Sequence, residues 1–328
     1  MQHRVLGRTG LQVSEIGLGT VELALDYGVP VAGEHLRPAE EHAARLLNQA
    51  LDLGVNFIDT ARAYGASEEI IGRALKGRRK DYWLASKLAP IRDEGQSDQT
   101  LREQVKASIA ESLRRLQTDV IDLLQLHYAP VDVITKGRVL AAVREAQKAG
   151  CVRFIGASTY GEDAPLAVLQ DGGYDTLQVA YNLADRTLEE RVLSSAQRQG
   201  VGIIVRSVLL RGVLTHRYTL LPDQLTELRS AIARLNSLVA ESRHFGPADA
   251  GSLPEMAYRF VLANPAVSTA LVGTARREEL EAALAFAGQG ALAPALIAAI
   301  RQVPVRDRTQ LNPGTWPADM GEWQGPTK

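Results

Sequence analysis

Asp59, Lys87 and His127 each stand directly after an apolar run, at 55–58, 82–86 and 120–126. An acid, a lysine and a histidine are the residue types that exchange protons and stabilise developing charge. Other polar residues repeat the placement. Ser158 follows a run at 152–157, Arg206 follows 201–205, Gly273 and Thr274 follow 267–272, and Gln178 lies inside 176–179. Taken singly, each has an ordinary structural reading. Asp59 suits a loop cap, Lys87 an exposed surface position, His127 a hydrogen-bonded strand end, and Tyr64 a loop cover. Their common position at one end of successive runs points to a site. The six histidines show no ligand spacing, so no metal is expected.

The runs at 16–19, 55–58, 82–86, 120–126, 152–157, 176–179, 201–205 and 267–272 are short and rich in β-branched residues. Segments of helical periodicity separate them, at 38–53, 100–116, 136–149 and 188–199. Gly54, Gly150 and Gly200 stand just past three of these, as helix-ending glycines do. Strands alternating with helices imply parallel pairing and right-handed crossovers. Eight such units predict an α/β fold of the closed (β/α)8 TIM-barrel type, occupying 1–328 as one domain. The rival doubly wound sheet calls for G-x-G-x-x-G after its first strand, which occurs nowhere. Residues 4–13 read as an N-terminal hairpin around Arg8-Thr9-Gly10. The stretch 206–266 reads as a long loop after strand seven with helices at 222–243 and 253–263. From Val303 the prolines Pro304, Pro313, Pro317 and Pro326 predict an irregular tail, in which Trp316 and Trp323 imply packing. In such a barrel the chemistry lies at the C-terminal strand ends, where the polar residues fall.

Composition narrows the partners. Over 328 residues, 37 basic and 38 acidic side chains leave a net charge of −1. With a pI near 6.6, no basic face for nucleic acid or an anionic membrane is expected. The single cysteine, Cys151, excludes a disulfide framework. The first twenty residues lack the apolar core of a signal peptide and no apolar run reaches about 18 residues, so the cytoplasm is the default setting. No helix carries an extended heptad seam, and the sequence assigns no oligomeric state.

The stretch Gly54-Val55-Asn56-Phe57-Ile58-Asp59-Thr60-Ala61-Arg62-Ala63-Tyr64-Gly65-Ala66-Ser67-Glu68 closely resembles the aldo-keto reductase signature. Val120 to Tyr128, Arg153 to Tyr160 and Gln178 to Asn182 resemble the family's fourth, fifth and sixth strand segments, and Leu6 to Ser14 its N-terminal hairpin. The likeness runs from about residue 4 to residue 286, with the motifs in order. It implies Tyr64 as general acid, Lys87 as the cation favouring its phenolate, Asp59 as partner of Lys87, and His127 as the group orienting a substrate carbonyl. It also implies a nicotinamide cofactor, NADP(H) with NAD(H) as the alternative. Ser158 and Gln178 match the carboxamide positions, and Gly19 and Thr20 the turn beside the nicotinamide. Ser207 to Gly212, with Leu209 between them, match the pyrophosphate loop. Gly273, Thr274, Arg276 and Arg277 match the adenosine-phosphate segment.

Four positions depart from the family pattern. Thr159 replaces an asparagine, Arg206 an aromatic residue that stacks on the nicotinamide, and Val208 a proline, while Glu279 stands at a position often basic or amide. A planar guanidinium can also stack. The expected activity is NADPH-dependent reduction of an aldehyde or ketone. The alternatives are a sugar or polyol dehydrogenase and a cofactor-binding regulatory relative without catalysis. Segments 88–98 and 128–132, the loop after Arg206 and the tail near Trp316 are expected to shape the substrate pocket. Tyr27, Trp83, Tyr128 and Tyr160 are candidate wall residues.

Overall fold

Strands buried on both faces need continuous apolar runs rather than alternation, and each of the eight runs forms one. The computed structural model describes residues 1–29, 37–91, 95–246 and 249–316. Its strands are β1 (His3–Val5), β2 (Gln12–Ser14), β3 (Ile16–Gly19), β4 (Phe57–Asp59), β5 (Trp83–Lys87), β6 (Ile121–Leu126), β7 (Val152–Ser158), β8 (Thr176–Ala180), β9 (Gly202–Arg206) and β10 (Val267–Gly273). β1 and β2 pair antiparallel as the hairpin. β3 to β10 close a parallel barrel in sequence order, β10 pairing with β3. The protein is therefore a (β/α)8 TIM barrel.

Helices Glu40–Asp52 and Asp98–Leu116 lie where periodicity puts them. The segment expected at 136–149 is instead broken. Gly137 adopts φ +67, ending Val131–Lys136 and starting Arg138–Lys148. The segment at 188–199 begins as a π-helical turn, Glu189–Leu193, before Ser194–Gln199. The long stretch after β9 holds short 3-10 turns and the helices Thr226–Glu241 and Leu253–Ala263. The described tail forms 3-10 turns at Arg308–Leu311 and Pro313–Thr315. Trp316 is buried, and its indole N–H donates to the Gln310 carbonyl at 2.9 Å. Pro317, Trp323 and Pro326 lie outside the described residues.

The hairpin plugs the N-terminal end of the barrel. Leu6, Leu11 and Val13 pack on Phe57, Ala85, Leu123, Ile204 and Leu271, with Trp83 at the edge. The approach is so close that a Cβ on Gly7 would lie 2.2 Å from the Gly202 nitrogen. With this floor sealed, the open end of the barrel is the C-terminal one.

Candidate active site

The strand registers level the polar residues on one rim. Gly19 pairs with Asp59 and with Gly273, Lys87 with Gln125, Ser158 with Gln178, and Ala180 with Arg206. At the centre, Lys87 Nζ lies 2.5 Å from Asp59 Oδ2, both side chains buried. Lys87 also donates to the Thr60 carbonyl at 3.0 Å. The other Asp59 oxygen, Oδ1, accepts from Gln125 Nε2 at 2.9 Å and Gln178 Nε2 at 2.7 Å. Burying two charges is tolerable only when they are paired and their remaining bonds are made, and these donors meet that condition. Gly156 makes room for Thr176 and Gln125, because a Cβ there would lie 2.3 Å from Thr176 Oγ1 and 3.1 Å from Gln125 Cγ.

Tyr64 sits on the loop after β4. The start of the following helix, Ser67–Ala74, is pinned to both flanking strands. Ser67 Oγ lies 2.8 Å from Thr20 Oγ1 and 2.9 Å from Thr60 Oγ1. This holds the Tyr64 ring 4.8 Å from Lys87 Nζ and edge-on to His127, with centroids 5.7 Å apart. His127 stacks on Tyr128 at 4.2 Å, Tyr128 on Tyr160 at 5.3 Å, and the Arg206 guanidinium lies 4.0 Å from the Tyr160 ring centre.

The electrostatics depart from expectation at Tyr64. Burial pushes its phenol well above the ordinary value, Asp59 and Tyr160 add to this, and Arg206 is the cation that opposes them. Asp59 pairs with Lys87 at contact distance, as expected, and so offsets the lysine's charge beneath Tyr64. Burial lowers Lys87 against the pull of Asp59. His127 is held well below the ordinary imidazole value by burial, with Lys87 and Arg206 adding repulsion. The imidazole is therefore neutral and the phenol protonated at neutral pH.

A cavity of about 660 Å³ runs from these residues to the far rim. Asp59, Tyr64 and His127 line one end, with Gly19, Thr20, Ser158, Gln178, Arg206 and Ser207 beside them. Leu209, Gly212, Gly273 and Arg276 line the remainder. Lys87 is buried beneath the cavity and does not line it, and three of the expected cofactor residues are elsewhere. Arg277 begins helix Arg277–Gly288 and pairs outward with Glu281 at 2.8 Å. Thr274 is buried behind the rim, accepting from the Arg276 N–H at 2.9 Å and meeting Glu279 Oε2 at 2.5 Å. Thr159 is also behind the wall, where its carbonyl accepts from Arg206.

Of the wall candidates, Tyr27, Tyr128 and Tyr160 line the cavity. Trp83 does not: it starts β5 at the floor, where its indole donates to the Gln12 carbonyl at 2.9 Å. The described residues of 88–98 and Trp316 also lie off the cavity, whereas the loop after Arg206 supplies much of one side. Sequence reasoning passed over Gln125, a lone amide in an apolar run, and Glu22. Burial and Glu279 push the Glu22 carboxyl up to about 8. Two features suit an elongated polar ligand. His127 Nδ1, on the cavity wall, is buried without a partner. Gly19, Gly212 and Gly273 also line the cavity, where they leave the backbone without a side chain over it.

The profile of the Aldo/keto reductase family matches residues 15–303. The chain is 32% identical over 306 residues to the aldo-keto reductase YhdN of Bacillus subtilis, covering 86% of this chain and 87% of that protein. It is 31% identical over 299 residues to the L-galactose dehydrogenase of Arabidopsis thaliana, covering 86% of each. Among solved structures, the holo form of aldo-keto reductase AKR11C1 from Bacillus halodurans superimposes with a TM-score of 0.73 at 28% identity, over 93% of this chain and 97% of that one.

Proposed function

The chain belongs to the aldo/keto reductase family, and from that premise we propose that it is an oxidoreductase reducing an aldehyde or ketone carbonyl to an alcohol with NADP(H). The supporting observation is Tyr64 set edge-on to His127 above the buried Asp59–Lys87 pair, at one end of an elongated cavity. A bound nicotinamide dinucleotide supplies the hydride. Neutral His127 orients the substrate carbonyl, and Tyr64 gives its phenolic proton to the carbonyl oxygen as the alcohol forms. Lys87, held by Asp59, fixes the floor beneath Tyr64 without leaving a net charge there. Gln178 and Ser158 are the residues at hand for a carboxamide, and Arg276 for a 2′-phosphate.

Two observations favour second readings. Glu279 lies 3.8 Å from Arg276, and Glu22 lines the same cavity, which favours NAD(H). The L-galactose dehydrogenase relative favours a sugar oxidised in the reverse direction. The chain is taken to act as one barrel unit over 1–328, on small-molecule substrates and not on nucleic acid or membranes. A cytoplasmic setting rests on its composition and lone cysteine. Cofactor absorbance followed with aldehydes, ketones and sugars, using both cofactors in both directions, tests the proposal. Carbonyl-dependent oxidation of NADPH is expected. Silence across the panel would leave the non-catalytic regulatory alternative.

A further inference from the structure

Arg206 closes β9 and lines the cavity beside Ser158 and Gln178. Of the other cations near it, Lys87 is paired with Asp59 and Arg276 with Glu279, while Arg211 lies over the Tyr27 ring on the same cavity wall. The partners of Arg206 are neutral. Its Nη2 donates to the Thr159 carbonyl at 2.9 Å, and its Nη1 lies 3.4 Å from Ser207 Oγ. No carboxylate neutralises it among the described residues. Its Nε is buried away from any acceptor. With Nε covered, a fork through Nε is closed to a ligand, and the guanidinium presents its charge to the cavity.

The guanidinium is also held in place. It rests on Tyr160, the far member of the column that runs through Tyr128 to His127. Its charge reaches the reacting groups, pulling down the phenols of Tyr27, Tyr64 and Tyr128 and repelling protons from Lys87 and His127. A hydride donor must lie against a carbonyl held by Tyr64 and His127. The cavity wall beside that point includes Gly19, Ser158, Gln178 and Arg206.

Resting on the reading of this cavity as a nicotinamide site, we propose that Arg206 sets its redox preference: a fixed, unneutralised cation that disfavours the oxidised, positively charged ring relative to the reduced, neutral one. Like charges a few ångströms apart repel weakly in water and more strongly in a drier site. The site therefore fills with reduced cofactor in preference to oxidised, and releases the oxidised form more readily.

The test is a set of dissociation constants for NADP⁺ and NADPH, by calorimetry, on the wild type, Arg206→Gln and Arg206→Lys. The ratio of oxidised to reduced Kd is expected to fall about five- to thirtyfold in Arg206→Gln. It should stay within about twofold of wild type in Arg206→Lys, which keeps the charge. If Arg206→Gln does not fold, Arg206→Tyr carries the same prediction with a planar group on Tyr160. An unchanged ratio in a folded, cofactor-binding neutral variant overturns the inference. An unchanged ratio with a raised KM for carboxylate- or phosphate-bearing carbonyls alone also overturns it, by making Arg206 a reader of substrate. Failure of the wild type to bind either redox form of NADP(H) or NAD(H) would instead remove the underlying reading of the cavity.

Discussion

The floor and the mouth of the barrel are made by the same strands, two residues apart. On β4 the floor residue is Phe57 and the mouth residue Asp59; on β5 they are Ala85 and Lys87; on β6, Leu123 and Gln125; on β9, Ile204 and Arg206. Side chains repeat on one face every second residue, so each strand sends an apolar group inward and then, about 7 Å higher, a polar one. Below, packing against the hairpin supplies stability. Above, buried charge is tolerated because Asp59 gathers Lys87, Gln125 and Gln178 around it. The two layers should therefore fail differently when broken.

The largest stability effect belongs to the mouth. Lys87→Met leaves Asp59 buried and unpaired, which should cost about 3–5 kcal/mol in denaturant unfolding. Adding Asp59→Asn should recover much of that stability and none of the turnover. If the double variant regains activity, the pair is structural only. On the floor, Leu6→Ala opens a cavity under the hairpin and should cost about 2–5 kcal/mol. The folded fraction should keep its wild-type turnover. A loss of turnover in correctly folded Leu6→Ala protein would dissolve the division between the layers.

Smaller effects sharpen the account of the far rim. The Glu22 carboxyl, raised to about 8, is neutral below that pH and charged above it. Affinity for NADPH relative to NADH should therefore fall several-fold as pH rises from about 7 to about 9. A constant ratio across that interval would take Glu22 out of contact with the 2′-phosphate region. The smallest effect is expected at Arg277. Its exposed pair with Glu281 should make Arg277→Ala neutral within about 0.5 kcal/mol, with NADPH affinity unchanged. Arg276→Ala should weaken NADPH more than NADH. Equal losses for the two cofactors would remove Arg276 from phosphate recognition.

These contrasts also explain what the sequence made legible. The mouth could be read because several apolar runs end in a polar residue of distinct chemistry, so Asp59, Lys87 and His127 stand out against their strands. The floor role of the hairpin could not. Leu6 and Val13 reveal apolarity, but not that their partners are Phe57, some fifty residues on, and Ile204, about two hundred on. Gln125 was hidden inside an apolar run, visible only once the alternation through Leu123 and His127 is followed. Trp83 misleads for the same reason: an aromatic near a site in sequence starts its strand and so belongs to the floor. At the adenosine segment one residue decides. Arg276 is extended, with φ −116 and ψ 128, and lines the cavity, whereas Arg277 opens the helix and turns to Glu281 one turn on. The short helices Ser67–Ala74, Asp163–Asp171 and Pro294–Arg301 escaped notice because so few turns display little periodicity.

The central claim is that the mouth is built around the Tyr64 hydroxyl. Tyr64→Phe keeps the ring, its edge contact with His127 and its position over Lys87, and removes the proton donor alone. Carbonyl reduction should fall by at least about a hundredfold, within the range for a lost general acid, while the dissociation constant for reduced cofactor stays at its wild-type value. A Tyr64→Phe protein that turns over near the wild-type rate would contradict the claim.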